Sequence, residues 1–387
     1  MTISIYIHLP YCLTKCPYCD FNSYGTGQDF PELKYTDSIL KEIDLYDDTI
    51  SGNNVATVFF GGGTPSLFSA KSIGKILDKL SEKTKIHNKA EITLEVNPRT
   101  ADAGKLGQFK EAGINRISVG VQSFLHEKLD YFKRFCDPED CIRTLHDVCE
   151  AGFDNYNIDL MYGGGGESLS DLEYDLNTAI SLGNKHLSVY CLTIEDNTEF
   201  GALRKKGLLD LCDEETLSEM YLYTSDLLED NGFIQYETSN FARDGYQCRH
   251  NLAYWRSQNY IGFGAGAHSH LGQTEACAWG ERWSNFKTPK HYMNAVSKGM
   301  TPVDSRLELG REISLNDTLM MGLRLKEGLD LNRLRERFDV DLNIDSENYI
   351  YLVEDGYIVP DRERLKLTKK GFLFSDRIIV DIISNIE

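Results

Sequence analysis

Three cysteines near the start of the chain form its most informative chemical pattern. Cys12, Cys16 and Cys19 have the spacing Cys-x3-Cys-x2-Cys and follow an apolar run at 4–9 that predicts a short strand. Thiolates gathered on one loop are ligands for a metal centre, and a [4Fe–4S] cluster normally takes four of them. Three local thiolates without an evident fourth would leave one iron of such a cluster open to a small molecule.

The same thiols allow a second interpretation, because three cysteines and His8 could form a structural zinc site with four protein ligands. The remaining cysteines show no second tight metal spacing, so we expect most of them to be reduced, buried thiols. They are Cys136, Cys141, Cys149, Cys191, Cys212, Cys248 and Cys277.

A second motif, Gly-Gly-Gly-Thr-Pro at 61–65, follows the next apolar run. Glycines at such a place let the backbone approach a ligand without interference from a Cβ atom. The motif is not a dinucleotide loop, since Ser66 stands where the third glycine would be required, and no Lys-Ser/Thr pair makes it a phosphate loop.

The elements that must position these motifs alternate between β-branched apolar runs and helix-length segments. This alternation predicts an α/β fold of βα units with a parallel sheet. About six or seven units fit, which favours a complete or partial (β/α) barrel, with a doubly wound open sheet as the alternative. The predicted strands cover 4–9, 55–60, 91–96, 114–121, 156–161, 186–191 and 234–238.

In a barrel, functional groups gather at the carboxyl ends of the strands. The cysteine loop follows the first predicted strand and the glycine run follows the second. Asn97 follows the third, Gln122 the fourth, and four glycines at 163–166 the fifth. We therefore expect these segments to meet at one rim.

The chain of 387 residues is longer than one ordinary core requires, so we expect a second domain. We predict a barrel at 1–240, a connecting region at 241–303 and a winged-helix-like α+β module at 304–387. In that module the pattern predicts helices at 312–325, 331–338, 346–355 and 369–386 and a hairpin from strands at 357–359 and 365–367. Its acidic excess favours packing or protein contact over DNA binding.

The formal charge of −19 argues against a nucleic-acid partner or an anionic membrane surface, because both would repel the protein. We see neither an export signal nor an apolar run long enough to cross a bilayer. We therefore expect a cytoplasmic protein, without a membrane span, whose partners are small molecules and proteins.

The cysteine loop, with Tyr18 before the third cysteine, resembles the cluster loop of the radical S-adenosylmethionine superfamily. The glycine run resembles the superfamily segment that holds the methionine amino group. The resemblance implies a [4Fe–4S] cluster whose open iron binds S-adenosylmethionine, and an electron that can cleave this cofactor to a 5′-deoxyadenosyl radical. It explains both motifs, whereas a zinc site would explain only the cysteines.

Further motifs restrict the resemblance to one part of this superfamily. They lie at 5–10, 19–22, 61–67, 94–98, 116–124 and 157–161. Over nearly the whole chain they are similar to the oxygen-independent coproporphyrinogen III oxidase family, and especially to its sister group, the heme chaperone HemW family. The resemblance implies a set of S-adenosylmethionine contacts. They are Tyr6, Gly62, Gly63, Thr64, Glu95, Gln122, Arg134 and Asp159.

Two features favour the chaperone group. Phe21 stands where the oxidases have a further cysteine, and the segment before the cluster is shorter than theirs. The run 249–255 matches the His-Asn-x-x-Tyr-Trp signature of the chaperones, which implies heme binding. Imidazole is a good axial ligand for heme iron, so His250 is the main candidate, with Tyr254 and Trp255 as apolar contacts of the porphyrin.

Alternatives to this ligand stay open at the level of sequence. His250 could instead be a hydrogen-bonded histidine that shapes a loop, and the competing ligands are Cys248, His268 and His270. Two departures from the family pattern also matter. Cys136 ends a run, 133–136, where the family usually has Gly-Arg-x-His, which leaves the role of Arg134 open. The glycines at 163–166 replace Gly-Leu/Ile-Pro, so we expect that loop to be flexible.

The sequence thus predicts a chaperone that carries a [4Fe–4S] cluster and S-adenosylmethionine, binds heme and transfers it to acceptor proteins. An electron donor is implied if the cluster turns over. Whether the chain is also an enzyme stays open. The alternatives are a coproporphyrinogen III oxidase and a radical S-adenosylmethionine methyltransferase that degrades heme.

Overall fold

The structure, a computed structural model, describes residues 1–274, 277–347 and 349–386. The strands of these residues are, in chain order, β1 (Thr2–Leu9), β2 (Tyr11–Cys12), β3 (Tyr24–Gly25), β4 (Asn54–Gly62), β5 (Lys85–Val96), β6 (Arg116–Gln122), β7 (Tyr156–Tyr162), β8 (His186–Cys191), β9 (Ile234–Gln235), β10 (Asn240–Ala242), β11 (Tyr260–Phe263), β12 (His268–Leu271), β13 (Glu281–Asn285), β14 (Val303–Glu308), β15 (Leu329–Asp330), β16 (Ile358–Val359) and β17 (Arg364–Leu367).

The helices, in the same order, are α1 (Glu32–Leu45), α2 (Asp47–Ile50), α3 (Ala70–Lys83), α4 (Ala103–Glu111), α5 (His126–Tyr131), α6 (Pro138–Glu150), α7 (Leu169–Ser181), α8 (Glu199–Lys205), α9 (Glu214–Asp230), α10 (Arg249–Trp255), α11 (Pro289–Ser297), α12 (Arg311–Gly322), α13 (Leu331–Phe338), α14 (Ile350–Glu354), α15 (Lys369–Leu373) and α16 (Ser375–Ser384). A 3-10 turn at Pro65–Leu67 follows the glycine run.

One large sheet organises most of the chain. Strands β1, β4, β5, β6, β7 and β8 are neighbours in this order and all run parallel. Their inward-facing side chains line one cavity, which is the arrangement of a barrel rather than of a doubly wound sheet. Within the described residues β9 and β14 are the two edges of the sheet, so the barrel is partial. The predicted α/β barrel fold is confirmed.

The prediction of a further parallel unit at 234–238 is wrong. Strand β9 covers only Ile234–Gln235 and pairs antiparallel with β10, which pairs antiparallel with β8. A four-residue turn can join antiparallel strands but is too short for a parallel crossover. The seventh parallel strand is instead β11, which lies on the other side of β1. Its four residues, Tyr-Ile-Gly-Phe, are too few to show a pattern in the sequence.

Strands β12, β13 and β14 extend the sheet beyond β11 by antiparallel pairing. They are short and largely polar, which is why periodicity alone did not predict them. Side chains from this region, including Phe263, Trp283 and Tyr292, belong to the same hydrophobic core as the barrel strands. The segment after residue 240 is therefore packed as a continuation of the barrel.

The C-terminal residues have a hydrophobic core of their own, which includes Leu319, Leu334, Phe338 and Ile379. Helices α12, α13 and α14 precede the hairpin of β16 and β17, and β15 completes a three-stranded sheet. This is the predicted winged-helix-like arrangement. The predicted helix at 331–338 matches α13, whereas only Ile350–Glu354 of the predicted 346–355 is helical and residue 348 lies outside the described residues.

Where the structure describes the chain, no helix combines the length and the apolar character needed to cross a membrane.

Candidate functional site

The predicted rim exists, and it surrounds a cavity of about 670 Å³ at the mouth of the barrel. Every side chain expected to contact the cluster or the cofactor lines this cavity. They are Tyr6, Cys12, Cys16, Cys19, Gly62, Gly63, Thr64, Glu95, Gln122, Arg134 and Asp159.

The cysteine loop is closed by short-range contacts. Strand β2, which contains Cys12, pairs with β3, and Lys15 Nζ donates to the carbonyl oxygen of Phe21 at 2.9 Å. The amide of Cys19 donates to the carbonyl of Cys16 at 3.2 Å, which makes a tight turn between the second and third thiols. All three cysteines line the cavity.

The geometry around His8 argues against the zinc interpretation. Its Nδ1 lies 3.0 Å from the hydroxyl of Tyr6, and its Nε2 lies 2.9 Å from the carbonyl oxygen of Asn22. Both ring nitrogens are thus occupied, and burial lowers the pKa of His8 to about 4. A tetrahedral site needs a fourth ligand with a free lone pair. The thiols themselves suit iron–sulfur ligation, in which each thiolate binds a different iron.

The glycine run packs directly against the segment that leads to Cys12. The amide of Gly63 donates to Leu9 O at 2.8 Å, and the amide of Thr64 donates to Tyr11 O at 2.8 Å. A Cβ atom at Gly63 would lie 2.7 Å from Tyr11 O, and Gly62 has a φ of +114° beside the ring of His8. These glycines therefore let the backbone of the glycine run lie close to the cysteine loop. The contact joins two segments that line the cavity.

Arg134 connects the cysteine loop with the segments that follow the second and third parallel strands. Its Nη1 donates to the sulfur of Cys16 at 3.5 Å, and its Nη2 donates to Asn97 Oδ1 at 2.9 Å. The amide of Asn97 in turn donates to the hydroxyl of Thr64 at 2.9 Å. Arg134 thus links the cysteine loop to the ends of the second and third parallel strands.

Acidic side chains form the opposite part of the cavity wall. Glu95 Oε2 accepts from the amide of Gly62 at 3.1 Å, and Asp159 Oδ1 accepts from Asn157 at 2.7 Å. Burial, with the charge of Asp159 as a second cause, raises the pKa of Glu95 to about 8. Gln122 completes this wall from a backbone position with a φ of +76°, next to a bulge in β6. The cavity wall thus carries both cationic and acidic side chains.

Two residues of the site were not assigned from sequence. Asn97 joins Arg134 to Thr64, and a lone asparagine at a strand end gives no signal of that role. Arg116 is 1% exposed, lines the cavity, and has an Nε without a partner among the described residues. The sequence did indicate this position. Arg116 is a charged residue at the start of an apolar strand, and it lies on the same face of that strand as the inward-facing Ser118 and Gly120.

Hydrogen bonds to Glu167 hold the start of the four-glycine loop at 163–166. Glu167 Oε2 accepts from the amides of Gly163 and Gly164 at 2.8 and 3.1 Å. The Nζ of Lys128 lies 2.7 Å from Glu167 and 2.7 Å from Asp175, and all three side chains are buried. The first half of the loop, Gly163 and Gly164, is therefore anchored through Glu167 to a buried ion triad.

Replacing Lys128 with methionine should destabilise the protein by about 3–5 kcal/mol, because two buried carboxylates would lose their common cation. Urea unfolding of the full chain measures this change. Lys133→Met is the matched control, since its partner Glu199 is exposed, and it should cost less than about 1 kcal/mol. Equal stability losses in the two variants would contradict the assignment.

The run 249–255 forms α10, and β5 holds its first turn. Glu91 accepts from the backbone amides of Arg249 and His250 at 3.2 and 3.1 Å. The side chain of His250 is 1% exposed, with Nδ1 at 2.7 Å from the Thr57 hydroxyl and Nε2 at 2.8 Å from the Tyr254 hydroxyl. Burial lowers the pKa of His250 to about 3, so the ring is neutral. In this conformation His250 is a hydrogen-bonded histidine on the cavity wall.

A groove of about 1120 Å³ adjoins the cavity and shares Tyr6, Glu95 and Tyr254 with it. The groove runs between the barrel and the C-terminal module. Its remaining wall combines aromatic and basic side chains with further acidic ones. The aromatic and basic ones include Trp255, Tyr260, His268, Lys287 and Arg324, and the acidic ones are Asp20, Glu195, Glu237 and Asp376.

The competing ligands have different environments. Cys248 is buried and its sulfur lies 3.7 Å from Glu91 Oε1. The ring of His270 lies 6.0 Å from that of Tyr260, centroid to centroid, and is half-buried. His268 is exposed and lines the groove. Of these candidates, His268 is therefore accessible from the groove without any rearrangement.

Comparison with family models assigns both parts of the chain. The model described as the radical SAM superfamily matches residues 6–179. The model described as the HemN C-terminal domain matches residues 311–374. These two matches correspond to the barrel with its cysteine loop and to the winged-helix-like module.

Curated relatives match nearly the full length. The heme chaperone HemW of Bacillus subtilis is 35% identical over 377 residues, which is 97% of each chain. The heme chaperone HemW of Escherichia coli is 42% identical over 266 residues, 69% of each chain. Among solved structures, the radical SAM enzyme coproporphyrinogen III oxidase (HemN) of Escherichia coli matches with a TM-score of 0.81 and 25% identity. That match covers 98% of this chain and 89% of the oxidase.

Proposed function

The chain belongs to the heme chaperone HemW family of the radical S-adenosylmethionine superfamily, and from this premise we propose that it binds heme and transfers it to acceptor proteins. The observation that carries the proposal is the pair of adjoining cavities, a polar one beside three cysteines and a groove whose wall includes aromatic, basic and acidic side chains. We place the protein in the cytoplasm. Its partners are heme, acceptor proteins and an electron donor if the cluster turns over.

In this proposal Cys12, Cys16 and Cys19 hold a [4Fe–4S] cluster at the barrel mouth. When bound, the cluster and S-adenosylmethionine supply one-electron chemistry that ends in a 5′-deoxyadenosyl radical. The residues of the cavity suit a cofactor with an amino group, a carboxylate and ribose hydroxyls. Glu95 and Asp159 can accept from amino and hydroxyl groups, while Arg134 offers positive charge to a carboxylate.

The same proposal gives the remaining predicted contacts their roles. Tyr6, Thr64 and Gln122 direct polar side chains into the cavity, and Gly62 and Gly63 keep the backbone close to the cysteine loop. Arg134 also positions Cys16 through its hydrogen bond to the sulfur. These residues bind and orient, and the buried barrel wall excludes water from the site.

We propose that heme would lie in the groove against Tyr254 and Trp255. Nε2 of His250, which lines the adjoining cavity and contacts Tyr254, would bind its iron. Three observations support the imidazole: it is neutral, its Nδ1 is fixed by Thr57, and its Nε2 faces Tyr254 at the cavity wall. Nε2 of His250 and the hydroxyl of Tyr254 share a hydrogen bond at 2.8 Å. Iron binding would require this hydrogen bond to break, which frees the lone pair of Nε2.

We assign the propionates of heme to basic groups of the groove. Lys287 and Arg324 lie on its wall. Arg324 is paired there with Asp376 at 2.8 Å, and its guanidinium is 5.9 Å from the centre of the Trp255 ring. Carboxylates prefer such cationic partners, and an indole ring offers apolar area to a porphyrin face. His268 is the alternative ligand, because it lines the groove and is exposed.

Anaerobic cluster reconstitution followed by heme titration and product analysis tests the proposal. We expect iron and sulfide in the protein, stoichiometric heme binding, and no conversion of coproporphyrinogen III. Formation of protoporphyrinogen would instead favour the oxidase, to which the solved oxidase structure gives some support. Loss of heme together with consumption of S-adenosylmethionine under strong reductant would favour a heme-degrading methyltransferase.

The affinity for S-adenosylmethionine should rise with pH. A cationic sulfonium cofactor favours ionised Glu95, whose pKa of about 8 means that it is mostly protonated at lower pH. Binding must then expel a proton, so the dissociation constant should fall by up to about tenfold per pH unit between about pH 6 and pH 8 and then level off.

Equilibrium dialysis of the reconstituted protein measures this dependence, and Glu95→Gln is the control because it cannot ionise. The amino group of the cofactor titrates identically in both experiments, so only the difference between the two proteins reports on Glu95. Parallel pH profiles for parent and variant would contradict the role of Glu95.

A further inference from the structure

Two cysteines outside the cluster loop stand next to each other in a rigid part of the barrel rim. The sulfurs of Cys136 and Cys141 are 3.8 Å apart, which is van der Waals contact. Cys136 precedes α6 and Cys141 lies in its second turn. The N-terminus of α6 is held by a complete capping box between Asp137 and Asp140, with Pro138 in the first helical position. The short distance is therefore fixed by local backbone structure.

The two thiols differ in access and in charge. Cys141 is fully buried against the core, whereas Cys136 is half-buried and lines a small cleft with Arg134 and Cys16. The hydrogen bond from Cys141, helped by the positive charge of Arg134, lowers the pKa of Cys136 below its usual value. An accessible thiol with a stabilised thiolate, backed by a buried second thiol, is the arrangement of an attacking and a resolving cysteine.

We propose that Cys136 and Cys141 form a redox-active dithiol, which closes to an intramolecular disulfide by exchange with a low-molecular-weight disulfide. The thiolate of Cys136 attacks one sulfur of the small disulfide and releases one small thiolate. Cys141 then loses its proton and attacks the sulfur of Cys136 in the mixed disulfide, which releases the second small thiol. Two cysteine thiols are oxidised and one small disulfide is reduced to two thiols, so atoms and electrons balance.

Closure requires only a local movement, since the sulfurs must approach from 3.8 Å to about 2.05 Å. Its effect should reach the cluster loop. Arg134 lies two residues before Cys136 and donates to the sulfur of Cys16. Drawing Cys136 toward α6 changes the position of Arg134 and hence the hydrogen bond to that cluster ligand. The inference goes beyond heme binding and does not depend on it.

A peptide of the chain makes the test direct. Trypsin cleaves after Arg134 and Arg143, and the peptide 135–143 contains Cys136 and Cys141 and no other cysteine. The reconstituted full-length protein is equilibrated anaerobically with mixtures of reduced and oxidised glutathione, quenched with acid, alkylated and digested. We expect the doubly alkylated peptide to be replaced by one that is unalkylated and lighter than the free dithiol by two hydrogens, with a two-electron dependence on the glutathione ratio.

Cys149 is the internal control, because it is an exposed cysteine in a separate tryptic peptide without another cysteine. It should form only a mixed disulfide with glutathione. In Cys141→Ser, and not in the parent, Cys136 should also accumulate the glutathione adduct. Cys136→Ser, which changes the less buried thiol, should leave residue 141 reduced. Peptide 135–143 remaining reduced, or carrying glutathione in the parent while Cys149 is modified, would overturn the proposal.

The link to the cluster has its own readout. The resonance Raman spectrum of the oxidised cluster, which needs no added reductant, should change when the parent is treated with glutathione disulfide and should stay unchanged in Cys136→Ser under the same treatment. An identical spectrum before and after complete closure of the disulfide would overturn the effect on Arg134 and Cys16.

Discussion

Cys16→Ala is expected to abolish the inorganic sulfide and most of the iron that the parent protein retains after anaerobic reconstitution. A cluster held by only three thiolates cannot lose one of them and keep its place, and Cys16 also carries the hydrogen bond from Arg134. Iron and acid-labile sulfide determination on desalted protein measures the loss. Binding of S-adenosylmethionine should fall with it, because the open iron is part of that site.

Cys149→Ala is the matched control for this experiment. Cys149 is exposed on α6, away from the cavity, so its replacement should leave the sulfide content at the parent level. Far-ultraviolet circular dichroism checks that both variants fold. A folded Cys16→Ala protein with parental sulfide content would disprove the assignment of the cluster to this loop, and the proposed cofactor site would be lost with it.

The second large effect concerns heme. His250→Ala should weaken heme binding by more than about tenfold, which is 1.4 kcal/mol, because it removes the axial ligand. Tyr254→Phe should act in the opposite direction. It deletes the hydroxyl that now occupies Nε2 at 2.8 Å, so iron no longer competes with a hydrogen bond worth about 1 kcal/mol. We expect heme to bind Tyr254→Phe about fivefold more tightly.

The opposite changes in heme affinity distinguish two roles of His250, ligand of the heme iron and structural support of Tyr254. If His250 only positions Tyr254, both variants should weaken heme binding and neither should alter the absorption spectrum of the bound heme. His268→Ala tests the alternative ligand in the groove and should leave the affinity within about twofold of the parent, since it removes no iron ligand. Heme titration followed by absorption spectroscopy, with circular dichroism as a check of folding, distinguishes these outcomes.

Predictions that rest on local patterns are confirmed where the pattern is long. Five of the six parallel strands were expected within two residues of their observed bounds, because each buried strand of a parallel sheet is a recognisable apolar run. The exception is β5, which begins six residues before the predicted 91–96, in a polar segment. The short strands β9 to β14 were missed or misassigned. They are held by pairing with neighbours that are distant in sequence, and their own two to six residues carry too little periodicity.

In the candidate site, too, some features followed from local sequence and others depended on contacts between distant segments. Strand order places the ends of β1, β4, β5, β6 and β7 together, so the convergence of the cysteines, the glycines and the acidic side chains on one rim followed from sequence. The partners of individual side chains did not follow. Neither the hydrogen bond from Arg134 to Cys16 nor the ion triad that holds the four-glycine loop could be read from spacing, since each joins segments far apart in the chain.

The sequence by itself determined which chemistry is present: three thiols on one loop, the family to which the chain belongs, and a heme signature with a histidine at 250. Only the tertiary structure decided how these groups stand toward each other. In the structure both ring nitrogens of His250 have hydrogen-bond partners, and His268 lines the groove. The sulfurs of Cys136 and Cys141 are in contact. The physical reason is that residue types set the possible chemistry, whereas hydrogen-bond partners and burial are set by packing between distant segments, which no local pattern encodes.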